Sequence, residues 1–200
     1  MSRFAALALL VAAACAGARG AAVSAITAAD RAIAALPADA AKVAPEEVAP
    51  LTQAMARARD LVAKGEYDSA LAGAREIPAR AQALASRLPG LKAALTAAMD
   101  TLSIAMPRNL AAIKTRLDTL SRSKRLPRGM DAQQVQAARD TYAAATAAWE
   151  GITASFKAGD LASAMKQALE LKARVSQSLL GLGLTADERA WSNVTLPPKQ

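Results

Sequence analysis

Apolar residues recur at three- and four-residue spacings along most of this chain. Leu51, Met55, Ala58, Leu61 and Val62 form one stripe over 48–64. The same period runs through Leu71, Ala74, Ile77, Ala81 and Leu84 over 67–88, and through Leu91, Ala94, Leu95, Met99, Leu102 and Met106 over 91–106. It resumes at Leu110, Ile113, Leu117 and Leu120, then at Val135, Ala138, Tyr142, Ala145, Trp149, Ile152 and Phe156. A last stripe, over 161–180, holds Met165, Ala168, Leu169, the Lys172 stem, Val175 and Leu179. Each pattern is that of a helix with one face turned inward. A weaker stripe, Ile26, Ala29, Ile33 and Leu36, predicts a helix over 23–36.

Breakers divide these stripes. Pro37 stops the first helix, and Pro45 and Pro50 predict a connector over 37–46 with the next helix settled by about Val48 and Pro50 in its first turn. Gly65 ends that helix, Pro78 kinks or splits its partner, and Pro89-Gly90 after Arg87 closes the hairpin. Pro107 leaves two readings, one kinked helix or two helices meeting there. Ser121 to Met130, SRSKRLPRGM, has no amphipathic period and reads as a linker. Asp131 followed by Gln134 predicts a capping box, Gly159 a second turn, and Gly181 with Gly183 the end of the last helix. Residues 185–200 read as an irregular tail, with Trp191 tucked against the body.

One stretch occurs twice. Gly65, Ser69, Ala70, Ala74, Glu76, Ala79 and Arg80 recur 94 positions later as Gly159, Ser163, Ala164, Ala168, Glu170, Ala173 and Arg174. Gly allows each turn, and Ala70 and Ala164 let two helices approach closely. Glu76 with Arg80, and Glu170 with Arg174, have the i,i+4 spacing of helix-surface ion pairs. GEYDSAL and GDLASAM resemble the helix-turn-helix signature of tetratricopeptide repeats, although 94 residues is far from that family's period of about 34. The resemblance implies hairpin geometry and no peptide-binding groove.

Composition adds a fold class and a compartment. Hydrophobic residues are 53% of the chain and aromatics 3%, so the apolar content is mostly small and aliphatic, favouring close-packed helices. The fold expected is all-α: an antiparallel bundle of two related αα-hairpins, within 45–88 and 131–180, and a long Pro-interrupted connecting segment, one domain over 23–184. Arg3, the apolar run Phe4 to Ala14 and the small residues after it read as an export leader over 1–22, with cleavage after Ala18, Gly20 or Ala22. Ala12-Ala13-Ala14-Cys15 also resembles a bacterial lipobox, which makes Cys15 the acylated N-terminus and a membrane tether. Processing at an ordinary peptidase site and lipidation at Cys15 stand as alternatives. The chain is expected in the periplasm, free or lipid-anchored.

The formal charge is +8; loss of Arg3 and Arg19 leaves 23 basic against 17 acidic residues. Histidine is absent and Cys15 is the one cysteine, so Cys/His zinc sites, thiol chemistry and His-dependent triads are excluded from the mature domain. Glu46-Glu47 and Asp187-Glu188 are adjacent pairs and form no acid-base pair across a cleft. No catalytic, cofactor-binding or metal-ligating residue is assigned. Arg122, Lys124, Arg125 and Arg128 are the candidate anion-contacting cluster, against the alternative of a solvated linker. Tyr142, Trp149 and Phe156 recur every seven residues, which predicts core positions. Asn193-Val194-Thr195 matches a glycosylation sequon and is taken as coincidence in a bacterial chain. The expected role is a non-enzymatic scaffold or interaction module of the cell envelope with an unidentified protein partner and no nucleic acid. The alternative is a carrier of an apolar ligand beside Trp149, Met99 and Met165.

Overall fold

A computed structural model describes the backbone over residues 3–186 with Trp191 and Val194, and side chains from Gly17 over the same span. The described residues are 84% helical with no strand among them, an all-α helical bundle fold. Seven helices occur among the described residues: α1 (Arg3–Ala34), α2 (Ala40–Val43), α3 (Pro45–Ala63), α4 (Tyr67–Arg75), α5 (Ile77–Arg122), α6 (Ala132–Lys157) and α7 (Leu161–Gly181). They fall into two compact units, Met1–Pro89 and Gly90–Gln200. Helix α5 belongs to both, its first three turns closing unit 1 and the remainder opening unit 2.

Unit 1 packs α1 against α3 and α4, and α3 against α4. Ala22 and Ala29 of α1 are fully buried, as are Ala70 and Ala74 of α4. Four small side chains at such positions leave little room between helix axes, the geometry that Ala content predicts. Larger residues, Leu51, Met55, Ile77, Leu84 and Leu88, fill the remaining interior. Charged groups tie the surface: Arg59 pairs with Asp30 across α3 and α1, and Arg87 grips both carboxylate oxygens of Glu47 at 2.9 and 3.3 Å.

Unit 2 is built on the second part of α5 with α6 and α7. The interior takes Leu95, Met99, Leu102, Met106, Ile113, Leu117 and Leu120 from α5 and Val135, Ala145 and Ile152 from α6. Helix α7 adds Ala164, Met165, Ala168, Leu171, Val175 and Leu179. Asn109 sits within the α5 stripe, 4% exposed, with its side-chain amide donating to the Ala105 carbonyl at 3.0 Å. Arg116 crosses from α5 to the end of α7, its Nε donating to the Leu182 carbonyl at 3.2 Å.

Several boundaries differ from those expected. Residues 37–46 hold the short α2, and α3 starts at Pro45, leaving Pro50 inside the helix. Pro45 takes the first helical position, where its missing N–H has no intrahelical acceptor to lose. Pro78 splits its helix: α4 ends at Arg75, Glu76 turns, and Pro78 is the second residue of α5. Pro89-Gly90 does not close a hairpin, because α5 runs through it and through Pro107. The reason is phase. Leu84, Leu88, Leu91 and Leu95 keep one unbroken stripe across the pair, and both prolines lie on the exposed side, where a released carbonyl is solvated. Ala94, expected in that stripe, is exposed.

Two sequence signals in the C-terminal half are met. Asp131 accepts from Gln134 N at 2.7 Å while the Gln134 side chain accepts from Asp131 N at 3.0 Å, completing the capping box. Trp191 is 4% exposed and donates its indole N–H to Ser176 Oγ, so the tail does return to α7.

Candidate functional site

The repeated stretch is the most sharply defined local geometry. Gly65 and Gly159 have φ of +79° and +91°, the left-handed region that glycine enters without steric cost. At the first turn Gly65 N donates to the Val62 carbonyl at 3.1 Å and Glu66 N to Leu61 at 2.9 Å. At the second, Gly159 N donates to Phe156 at 2.9 Å and Asp160 N to Ser155 at 3.1 Å. Both are Schellman caps. The next residues start their helices with matching dihedrals, Glu66 at φ −85°, ψ 62° and Asp160 at φ −83°, ψ 64°. A Cβ on either glycine would meet nothing within 4 Å, so backbone conformation alone selects glycine there.

The correspondence extends beyond the quoted stretch. Ala70 and Ala164 are fully buried; Ile77 and Leu171, then Leu88 and Leu182, are buried at equivalent positions. The expected surface pairs do not form, since no side-chain ion pair joins Glu76 to Arg80 or Glu170 to Arg174. Glu76 lies in the turn between α4 and α5, and Glu170 and Arg174 extend into solvent, where an i,i+4 pair gains little. Glu47, one of the adjacent carboxylates, is engaged by Arg87.

The aromatic row corrects a second expectation. Tyr142, Trp149 and Phe156 are half-buried, and the interior line of α6 is Val135, Ala138, Ala145 and Ile152. The row flanks that line along one side of the helix, spanning about 21 Å. Its counterparts in α3 are the aliphatic Val48, Met55 and Val62. Met99 and Met165, the other residues considered for an apolar ligand, are both buried.

The basic cluster occupies the connection between α5 and α6. Arg122 is the last residue of α5, and Lys124, Arg125 and Arg128 follow, all four exposed. The connection has a definite shape: Met130 N donates to the Pro127 carbonyl at 3.2 Å, with Gly129 at φ +83° supplying the third residue of a type II turn. Arg128 stands at the tip of that turn.

The tail clamp on α7 was only partly foreseen. Lys172 Nζ donates to the Val194 carbonyl at 3.1 Å and lies 5.8 Å from the Trp191 ring centroid, a cation–π distance. Burial lowers the Lys172 pKa from the usual lysine value. In unit 1 the Asp60 carboxylate, hydrogen-bonded to Lys64, raises the Lys64 pKa.

Cys15 falls on the backbone of α1, and its side chain lies outside the described residues, as do Asp187, Glu188, Asn193 and Thr195. Among the described residues no helix is long and apolar enough to cross a membrane, and no three Cys, Asp or Glu side chains gather as a metal site. No protein-family model, curated protein or solved structure matches this chain.

Proposed function

We propose that the chain is an exported, non-enzymatic helical scaffold or interaction module of the bacterial cell envelope. The leader pattern, Arg3 followed by the apolar run Phe4 to Ala14 and small residues, supports export to the periplasm. Cys15 offers a lipid tether in place of simple cleavage. The observation that carries the interaction reading is the half-buried aromatic row on α6. Tyr, Trp and Phe supply large contact area at low side-chain entropy cost and are enriched where proteins meet. Unit 1 seals the same positions with smaller aliphatic groups, so the row is a specialisation of one unit rather than a requirement of the hairpin.

The test is in-cell cross-linking of tagged protein in the envelope, comparing wild type with Trp149→Gln. A cross-linked partner kept by wild type and lost by the variant, with helicity and melting temperature little changed, is the expected result. No reproducible partner, or one retained by Trp149→Gln, overturns the reading. Fractionation of Cys15→Ser decides the tether: movement from membrane to soluble periplasm is the signature of lipidation, and the same soluble fraction for both proteins identifies ordinary cleavage.

A further inference from the structure

Charge is distributed unequally between the units. Unit 1 contains ten basic and eight acidic residues, unit 2 fifteen and nine. Residues 114–131 alone hold six basic residues and two acidic ones, half of the net charge of the whole chain. One of those acids, Asp131, is committed to capping α6. Arg116 is committed to the Leu182 carbonyl. Arg122, Lys124, Arg125 and Arg128 have no ion-pair partner among the described residues, whereas Arg59, Lys64 and Arg87 of unit 1 each meet a carboxylate.

The helix dipole accounts for a cation at Arg122, in the last turn of α5, but its influence fades within that turn. Lys124, Arg125 and Arg128 lie beyond it. Nor is the segment a loose tether. Ser123 N donates to Leu120 at 3.2 Å, the turn at Pro127–Met130 is hydrogen-bonded, and Asp131 fixes the exit. Fixing a cationic segment in advance lowers the ordering cost of docking it. Leu126 and Met130, between and after the cations, are half-buried and draw the connection back onto the unit, leaving the charges outward.

We propose that the α5–α6 connection is an electrostatic docking site for an anionic phospholipid surface, with Arg122, Lys124, Arg125 and Arg128 contacting the headgroup phosphates. Four cations on a short segment match a surface of repeated single negative charges better than one compact ligand, because no polar cradle converges on a point. The proposal rests on the export reading only in taking an envelope membrane as the surface. Vesicle binding by purified protein separates the two, since it can fail while the protein is still exported.

The experiment is flotation of the purified full chain with vesicles of phosphatidylcholine alone or mixed with phosphatidylglycerol. Binding to the mixed vesicles that falls steeply with added salt is expected, with little binding to phosphatidylcholine. Lys124→Gln/Arg125→Gln is expected to weaken partitioning about 25-fold, about fivefold per cation, and Arg128→Gln about fivefold. Circular dichroism should show both variants folded, as all three side chains are exposed. Unchanged partitioning in the variants, or equal binding to both vesicle types, overturns the proposal. Competition by millimolar inorganic phosphate at constant ionic strength would reassign the site to free phosphate. Tighter binding to duplex DNA with the same loss in the variants would reassign it to a general polyanion.

Discussion

Unit 1 and unit 2 build the same hairpin and finish it differently. At the glycine and just after it they agree in dihedrals, Schellman cap and buried alanines. Beyond it unit 1 has Pro78 where unit 2 has Lys172, so α4 breaks at Glu76 while α7 runs unbroken to Gly181. The flank of the preceding helix is aliphatic in α3 and aromatic in α6. In unit 1 Arg59, Lys64 and Arg87 each meet a carboxylate, whereas in unit 2 Arg122, Lys124, Arg125 and Arg128, gathered in one connection, meet none among the described residues. The lesson is that turn geometry and small-residue packing define the shared hairpin, while single substitutions on its outer face adapt each copy.

The largest effects test whether the interiors are equivalent. Ile77→Ala and Leu171→Ala remove buried side chains at matching positions and should each cost about 2–5 kcal/mol in urea unfolding. A large loss in one unit and a negligible loss in the other would break the correspondence. Next is the helix break. Lys172→Pro should cost about 3 kcal/mol by removing a backbone hydrogen bond in mid-α7. Pro78→Ala, in the first turn of α5, should change stability far less; equal losses would show that Pro78 is not what divides α4 from α5.

The turns come third. Gly65→Ala and Gly159→Ala should each cost about 1–2 kcal/mol from backbone strain alone, with Asn in place of Ala losing less. A neutral Gly65→Ala would mean the left-handed turn is not maintained. The smallest effect is pH-dependent. Burial lowers the Lys172 pKa in the folded state, so between its folded and unfolded values the unfolded chain binds more protons and stability rises with pH. Lys172→Met should flatten that alkaline rise, read from melting temperatures across the window, whereas an unaltered profile would assign the rise to another group.

Much of the fold was legible because periodicity is a local signal. Leu51 to Val62 and Val135 to Ile152 place their helices without help, and Asp131 with Gln134 marks a helix start within four residues. The errors came where local and longer-range signals conflict. Pro89-Gly90 is a strong terminator by itself, yet the Leu84–Leu88–Leu91–Leu95 phase carries the helix through it. Tyr142, Trp149 and Phe156 share the interior's period but lie to one side of it, an offset visible only once the neighbouring helices are placed. Asn109 was overlooked although its spacing from Leu102, Met106 and Ile113 is that of the buried stripe. The basic cluster was plain in sequence; the lack of acidic partners and the hydrogen-bonded turn were not, because both depend on tertiary placement.

Matched charge reversals in the two units test the differentiation most directly. Lys124→Glu/Arg125→Glu in unit 2 and Arg57→Glu/Arg80→Glu in unit 1 alter exposed residues and change net charge equally. Flotation with phosphatidylglycerol vesicles should show binding abolished by the unit 2 pair and largely retained by the unit 1 pair. Equal losses would mean that net charge alone governs binding, contradicting a docking site in the α5–α6 connection.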